Sequence, residues 1–234
     1  MSSISDNLQA VLAHIHAYAL ESGREPSQVE LLAVSKTFGA EAVLQAAAAG
    51  QRRFGENYLQ EALDKIQAVQ AMAPQWPLEW HFIGPIQSNK TRPIAEHFAW
   101  VHSVDREKIA RRLSEQRPDH LPALNICLQV NISGEESKSG VLPAEALDLA
   151  QQIAGLPRLS LRGLMAVPEA SDDQQQQRLA FRQLKELSQS IQAAGIALDT
   201  LSMGMSSDLH AAIAEGSTMV RVGTAIFGSR NYAK

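Results

Sequence analysis

The sequence predicts an α/β fold: a single (β/α)8 TIM barrel over residues 1–234, of the type with an extra helix at its N-terminal end. Three observations carry that prediction. Short apolar runs alternate with helical stretches along the whole chain. The apolar runs are continuous rather than alternating, the pattern of parallel strands covered on their outer face. There are eight of them in 234 residues, and a (β/α)8 barrel occupies ~200–250 residues.

Residues 4–22 open the chain as an amphipathic helix, with Ile4, Leu8, Val11, Leu12, Ile15 and Ala19 near helical spacing. Turn signals at Ser22-Gly23 and Glu25-Pro26 end it. Strand-like runs follow at 30–35, 53–55, 79–83, 100–104, 124–132, 159–167, 198–203 and 219–222. Helical stretches at 39–49, 57–72, 88–98, 105–116, 143–154, 174–194 and 207–215 separate them. No Gly/Ser linker, charge block or low-complexity tract marks a second domain. The rival architecture is an open doubly wound sheet, which ordinarily carries G-x-G-x-x-G after its first strand. That motif does not occur, nor do G-x-x-x-x-G-K-[ST], H-E-x-x-H or G-x-S-x-G.

Composition narrows the function. The chain is 45% hydrophobic and 20% charged, an ordinary globular balance. A net charge of −4 with no long basic stripe argues against nucleic acid as a partner. No apolar run approaches the ~20 residues a membrane helix needs. The opening MSSISDNLQA lacks the basic and apolar regions of a secretory signal, so a cytoplasmic protein is expected. The one cysteine, Cys127, excludes an intramolecular disulfide and a Cys-based zinc site. Within LNICLQVNI it reads as a buried, inert thiol.

A barrel carries its chemistry at the C-terminal ends of its strands. The first run ends on Ser35-Lys36. A lysine there packs its stem among apolar walls, and desolvation favours the neutral amine that a carbonyl-binding nucleophile requires. The plainer reading is a rim lysine that snorkels to water. Glu56-Asn57 follows the second run, and the third contains His81 and ends at Gly84-Pro85. The seventh runs into Ser202-Met203-Gly204-Met205-Ser206, and the eighth into Arg221-Val222-Gly223-Thr224. Loops after strands seven and eight commonly hold phosphate, through backbone N–H groups and hydroxyls such as those of Ser206 and Thr224. Ser206 could equally be a helix N-cap and Gly223 a turn. Arg221, apolar on both sides, must pair or bind an acceptor. His81 alone reads as a hydrogen-bonded core histidine, and Asn57 as a helix-start residue. An amine nucleophile, a phosphate cradle and an inward arginine on one rim form a constellation for pyridoxal 5′-phosphate (PLP).

The stretches LLAVSK, RRFGENYLQEA, EWHFIGPIQSNK, RGLMAVPE and LSMGMSSDLHAAIAEGSTMVRVGTAIFG resemble the pyridoxal phosphate homeostasis protein family over nearly the whole chain. Members look like the barrel domain of alanine racemase without its second domain. The resemblance implies that Lys36 holds PLP as an internal aldimine, a Schiff base. It implies that Ser206, Gly223 and Thr224 bind the phosphate and that Arg221 faces the pyridine nitrogen. Asn57 and His81 would line the ring's surroundings, with Met203 near the cofactor. The implied role is intracellular PLP homeostasis: buffering and delivery of PLP, and amino-acid and keto-acid balance. PLP-synthesising enzymes and PLP-dependent apo-enzymes are the implied partners.

Turnover is expected to be weak. An arginine leaves the pyridine nitrogen unprotonated and the cofactor a poorer electron sink. Alanine racemases take a second acid/base, a tyrosine, from their other domain across a dimer. Without that domain, Tyr58 beside Asn57 is the one tyrosine placed near the site, and a monomer is expected. An open mouth weakens preorganisation and eases cofactor exchange. The alternatives are a low-activity PLP enzyme such as an amino-acid racemase or decarboxylase, a sugar-phosphate aldolase using Lys36 and His81, and an interaction protein with an inert barrel. Lys138, in the polar loop 133–140, and Lys234 are candidates for a second, reversible PLP site, against the reading of solvated lysines.

Overall fold

The computed structural model describes residues 3–135 and 138–229, so Lys234 lies outside the described residues. Strands β1 (Glu30–Val34), β2 (Arg53–Glu56), β3 (Glu79–Phe82), β4 (Trp100–Val104), β5 (Leu124–Gln129), β6 (Leu159–Met165), β7 (Thr200–Ser202) and β8 (Met219–Val222) close into a barrel in chain order. Every neighbouring pair is parallel, and β8 returns to β1 with Glu30 opposite Met219 and Ala33 opposite Val222. Outside lie α1 (Ile4–Glu21), α2 (Ala40–Ala48), α3 (Leu59–Met72), α4 (Thr91–His97), α5 (Glu107–Gln116), α6 (Ala146–Ala154), α7 (Gln174–Ala193), α8 (Leu209–Ala214) and α9 (Thr224–Phe227).

The period of two along each strand divides the core into two layers. Leu31 and Ala33 of β1 face the helices and join the large outer cluster with Phe54, Val43, Leu113, Leu184 and Val220. Leu32 turns inward, where a Cβ on Gly55 would meet its side chain and that of Ile83 at 3.2 Å. Trp100, Cys127 and Met165 form a separate inner cluster. Cys127 is fully enclosed, and burial pushes its thiol up to about 12, so it is inert at neutral pH.

Helix α1 opens with a capping box, in which the Asp6 N–H donates to Ser3 Oγ and the Ser3 N–H donates to Asp6 Oδ2, each at 3.1 Å. Its apolar face of Leu8, Val11, Ile15 and Ala19 is buried against α2, α8 and α9. Helix α8 has six residues and α9 four. The longer α1 therefore completes the outer ring where those short helices leave the seam between β8 and β1 thinly covered. Arg24, just past its end, donates to the carbonyls of Ile213 and Ser217 at 2.8 Å.

Several boundaries differ from the sequence reading. The stretch 88–98 is a 3₁₀ turn, Ser88–Lys90, followed by α4. A continuous helix would drive the Pro93 ring against the Asn89 carbonyl, whereas starting at Thr91 puts Pro93 in the first turn. The stretch 143–154 divides the same way, with Pro143–Glu145 as 3₁₀ and α6 after it. Helix α9 was not anticipated, because four residues are too few to show a period. No helix among the described residues is long and apolar enough to cross a membrane.

Gly163 of β6 is a position of close approach: a Cβ there would lie 1.7 Å from the Thr200 carbonyl oxygen of β7. We expect Gly163→Ala to destabilise the barrel by roughly 1–3 kcal/mol or more. Urea unfolding measures this, and an unchanged midpoint with unchanged slope contradicts it.

Candidate functional site

At the C-terminal mouth of the barrel lies a cleft of about 450 Å³. Lys36, Asn57, Ser206, Arg221, Gly223 and Thr224 all line it. Val34, Ile83, Met165, Val167 and Met205 supply its apolar walls. A larger cavity of about 700 Å³ opens at the other end of the barrel. Its charges are already engaged: Arg53 pairs with Glu30 and Glu79, Arg162 with Asp199, and Arg24 donates to backbone carbonyls. Location at the strands' C-terminal ends favours the smaller cleft as the working site.

Lys36 follows β1 and is half-buried. Ser206 and Thr224 are exposed on the far side, with Gly223 between strand β8 and helix α9. A Cβ on Gly223 would stand 3.0 Å from the Val34 carbonyl oxygen, so a bare backbone lets the end of β8 approach the end of β1. Gly223 O accepts from the N–H groups of Ile226 and Phe227, both at 2.9 Å. The N–H groups of Thr224 and Ala225, at the helix opening, have no intrahelical acceptor. Ser206 lies in the turn ahead of α8 and is not its cap; that place belongs to Asp208, whose Oδ1 accepts from the Met205 N–H at 2.5 Å. Asn57 brings a buried Oδ1 with no hydrogen-bond partner.

Arg221 is buried and forms one end of a hydrogen-bonded chain through the barrel interior. It donates from Nη1 to the Ser202 carbonyl at 2.6 Å and to Ser202 Oγ at 2.8 Å, and from Nη2 to the Ala166 carbonyl at 2.9 Å. Ser202 Oγ lies 2.7 Å from His102 Nδ1, His102 Nε2 lies 2.8 Å from His81 Nδ1, and His81 Nε2 lies 2.9 Å from Glu79 Oε1. A guanidinium only donates and a carboxylate only accepts. The chain therefore has one direction: Arg221 to Ser202, Ser202 to His102 Nδ1, His102 to His81, and His81 to Glu79. Each imidazole is neutral, with its proton on Nε2. Burial lowers both histidines from their ordinary value, His102 well below it, since a proton there would also be disfavoured by the adjacent His81 ring and the Arg221 guanidinium. Burial also brings Arg221 down to about 10, which leaves it charged at neutral pH.

Two expected residues are not brought to the cleft. His81 is fully buried and stacks on Trp100 with 5.3 Å between ring centroids. It faces inward, but one layer below Ile83, the β3-side residue that reaches the mouth. Met203 belongs to the outer core, because Ser202 takes the inward position and the next residue must point away. Met165 and Met205 stand in the cleft instead. His102 and Ser202 were not singled out. The signal was present, since each is the inward polar residue of an apolar run. Tyr58 is exposed in a neighbouring groove with Pro85 and Ile86. Lys138 is outside the cleft and pairs with Glu135 at 2.9 Å.

The family described as alanine racemase, N-terminal domain, matches residues 6–231. A Pseudomonas aeruginosa protein named pyridoxal phosphate homeostasis protein is 60% identical over 232 residues, 99% of this chain and 98% of that one. An Escherichia coli protein of the same name is 53% identical over 234 residues, all of both chains. This chain belongs to the pyridoxal phosphate homeostasis protein family. Among solved structures, PipY of Synechococcus elongatus with PLP bound superposes with a TM-score of 0.81 at 38% identity, covering 97% of this chain and all of that one. Clostridium difficile alanine racemase shares the fold at a TM-score of 0.75 and 14% identity, with 97% of this chain on 58% of that one.

The neutral histidines set a pH dependence. Their folded values lie below 6.5, so below that pH the unfolded chain binds the extra protons first. The stability they contribute is complete above 6.5 and is lost as pH falls. We expect unfolding free energy to decline by up to about 1.4 kcal/mol per pH unit for each histidine. Urea titrations from neutral to mildly acidic pH should show a shallower decline in His102→Gln, and equal slopes would contradict the assignment.

Proposed function

We propose that this protein binds PLP in the mouth cleft, covalently through Lys36, and serves PLP homeostasis as a carrier with little turnover of its own. The observation that carries this reading is the meeting, in one cleft, of a lysine amine, an arginine and a cradle of hydroxyls and backbone N–H groups. The residues present suit the ligand. The volume falls within the ~300–1,000 Å³ of small-molecule sites. Gly223 leaves bare backbone where a phosphate oxygen must come close, and Asn57 Oδ1 is an enclosed acceptor awaiting a donor.

When bound, PLP supplies an aldehyde electrophile and a conjugated ring that withdraws electrons from an attached amine. Lys36 would be the amine that holds the aldehyde carbon. Ser206, Thr224 and the backbone at 223–225 take the phosphate through charge-assisted hydrogen bonds. Val34, Ile83 and Met165 would supply apolar contact to the ring. Arg221 commits three of its five N–H groups to Ser202 and Ala166, and the others remain for the pyridine nitrogen.

That arginine also limits catalysis. It donates a hydrogen bond without giving up its proton, and Ser202 and the histidines lead no proton toward the ring. Among the described residues no tyrosine lines the cleft, so the second acid/base of a racemase lacks a candidate there. The mouth is open to solvent, which favours exchange over sequestered chemistry. The partners of such a carrier are enzymes that make PLP and apo-enzymes that use it, and its setting is a monomer in the cytoplasm.

The test is the near-ultraviolet and visible spectrum of the purified protein beside Lys36→Ala, before and after borohydride. We expect a visible band in the wild type, none in the variant, and borohydride fixation of the cofactor on Lys36. A colourless wild type that takes up no added PLP would sink the proposal.

A further inference from the structure

Behind Lys36, on the outer side of the barrel wall, β1, β2 and α3 enclose an ionic cluster that the function above does not use. Lys65 of α3 has a side chain only 3% exposed. Its Nζ donates to the Ser35 carbonyl at 2.8 Å, to Glu56 Oε1 at 2.6 Å and to Glu61 Oε1 at 3.0 Å, which employs all three N–H groups of an ammonium. Glu56, the last residue of β2, is fully buried and also accepts from Ser35 Oγ at 2.6 Å. Its other oxygen, Oε2, has no partner. Glu61 Oε1 accepts in turn from the Thr37 N–H at 2.6 Å.

These bonds converge on the two residues that flank Lys36. Ser35 is held by its carbonyl and its hydroxyl, and Thr37 by its N–H. Thr37 has φ of +69°, the left-handed region that a β-branched residue avoids. The turn closed by the Phe38 N–H on the Ser35 carbonyl at 3.1 Å carries it into that region, and the Glu61 carboxylate pins its N–H there. The surroundings are otherwise apolar, with Phe54, Ala62 and Val69 buried nearby on the same two elements. Burying an ion pair in such a place is a poor route to stability, since apolar residues of similar volume commonly serve as well or better. What a buried, hydrogen-bonded network supplies is a fixed geometry.

We infer that Lys65, Glu56 and Glu61 form a clamp that positions Lys36. The clamp fixes the peptide planes on both sides of that residue and so aims its Cα–Cβ bond into the cleft before any ligand arrives. None of the three reaches the ligand; they act through backbone. The inference rests on the reading that Lys36 carries PLP, and it deepens that reading by naming what preorganises the amine.

Glu61 is the residue to change, because it is a third exposed and its loss leaves the Glu56–Lys65 pair intact. Glu61→Ala removes the acceptor for the Thr37 N–H, whereas Glu61→Gln keeps one. Two readouts are needed: the PLP dissociation constant from spectral titration, and amide hydrogen exchange at Thr37 in PLP-free protein. We expect Glu61→Ala to bind PLP roughly tenfold more weakly, a modest share of what misplacing a reacting group costs. We expect its Thr37 amide to exchange faster, with Glu61→Gln close to wild type in both. Lys65→Met should weaken binding further. Glu61→Ala with wild-type affinity and wild-type exchange would overturn the clamp, as would a fall in melting temperature with affinity unchanged. A wild type that fails to bind PLP at Lys36 would overturn the parent reading, and that result is visible before any variant is made.

Discussion

Pairing Glu30–Ala33 of β1 with Met219–Val222 of β8 closes the barrel, and this ladder creates the site. Lys36 lies near the start of the chain and Gly223-Thr224 near its end, with nearly the whole fold between them. They share a cleft because the last strand lies against the first in a register that sets Gly223 beside Val34. The close approach needs a residue without a side chain, which explains Gly223 better than a generic turn does. It also gives α1 its purpose. The helices after β7 and β8 are too short to cover the closing seam, so the N-terminal helix packs across it. Any change that loosens this seam should separate Lys36 from Gly223 and Thr224 before it unfolds the barrel.

The second constraint is the charge on Arg221. A guanidinium inside a barrel must find acceptors, and the strand ends provide them in the carbonyls of Ser202 and Ala166. The hydroxyl of Ser202 passes the polarity inward through two imidazoles to Glu79 at the opposite end. Because a pure donor stands at one terminus and a pure acceptor at the other, the tautomer of each histidine is determined. The interior is therefore polar and yet satisfied at every link. An apolar interior would be simpler, but it would not hold a cation rigidly at the floor of the cleft.

Much of this was legible in the sequence. Strand count, strand order and the C-terminal positions of Lys36, Arg221, Gly223 and Thr224 follow from periodicity and the barrel rule. Depth and face were harder. His81 is on the inward face, as its strand pattern requires, but one layer below the mouth, and a one-dimensional pattern carries no depth. Met203 failed by one residue, which in a strand is the difference between core and cleft. Ser206 looked like a helix cap because serine usually is one; the helix starts later, at Leu209, with Asp208 before it. The Glu56–Lys65–Glu61 cluster was invisible for another reason. Glu61 and Lys65 read as an ordinary i,i+4 pair on a helix surface, and nothing local says that Ser35 comes to meet them.

The same geometry bears on the proposal that this barrel carries its cofactor rather than uses it. Two properties usually travel together in PLP enzymes: a preorganised attachment point and a closed, acid/base-equipped chamber. Here they are separated. The residues on either side of the lysine are held from behind by buried ionic bonds, and glycine backbone closes the seam in front. The cleft is open, its arginine is committed to Ser202 and Ala166, and no tyrosine lines it among the described residues. A site with the first property and not the second is suited to holding a ligand more than to transforming it, which is what the proposed carrier role requires. Ser206 and Thr224 stand exposed on one side of that cleft, so its polar rim is also its solvent face.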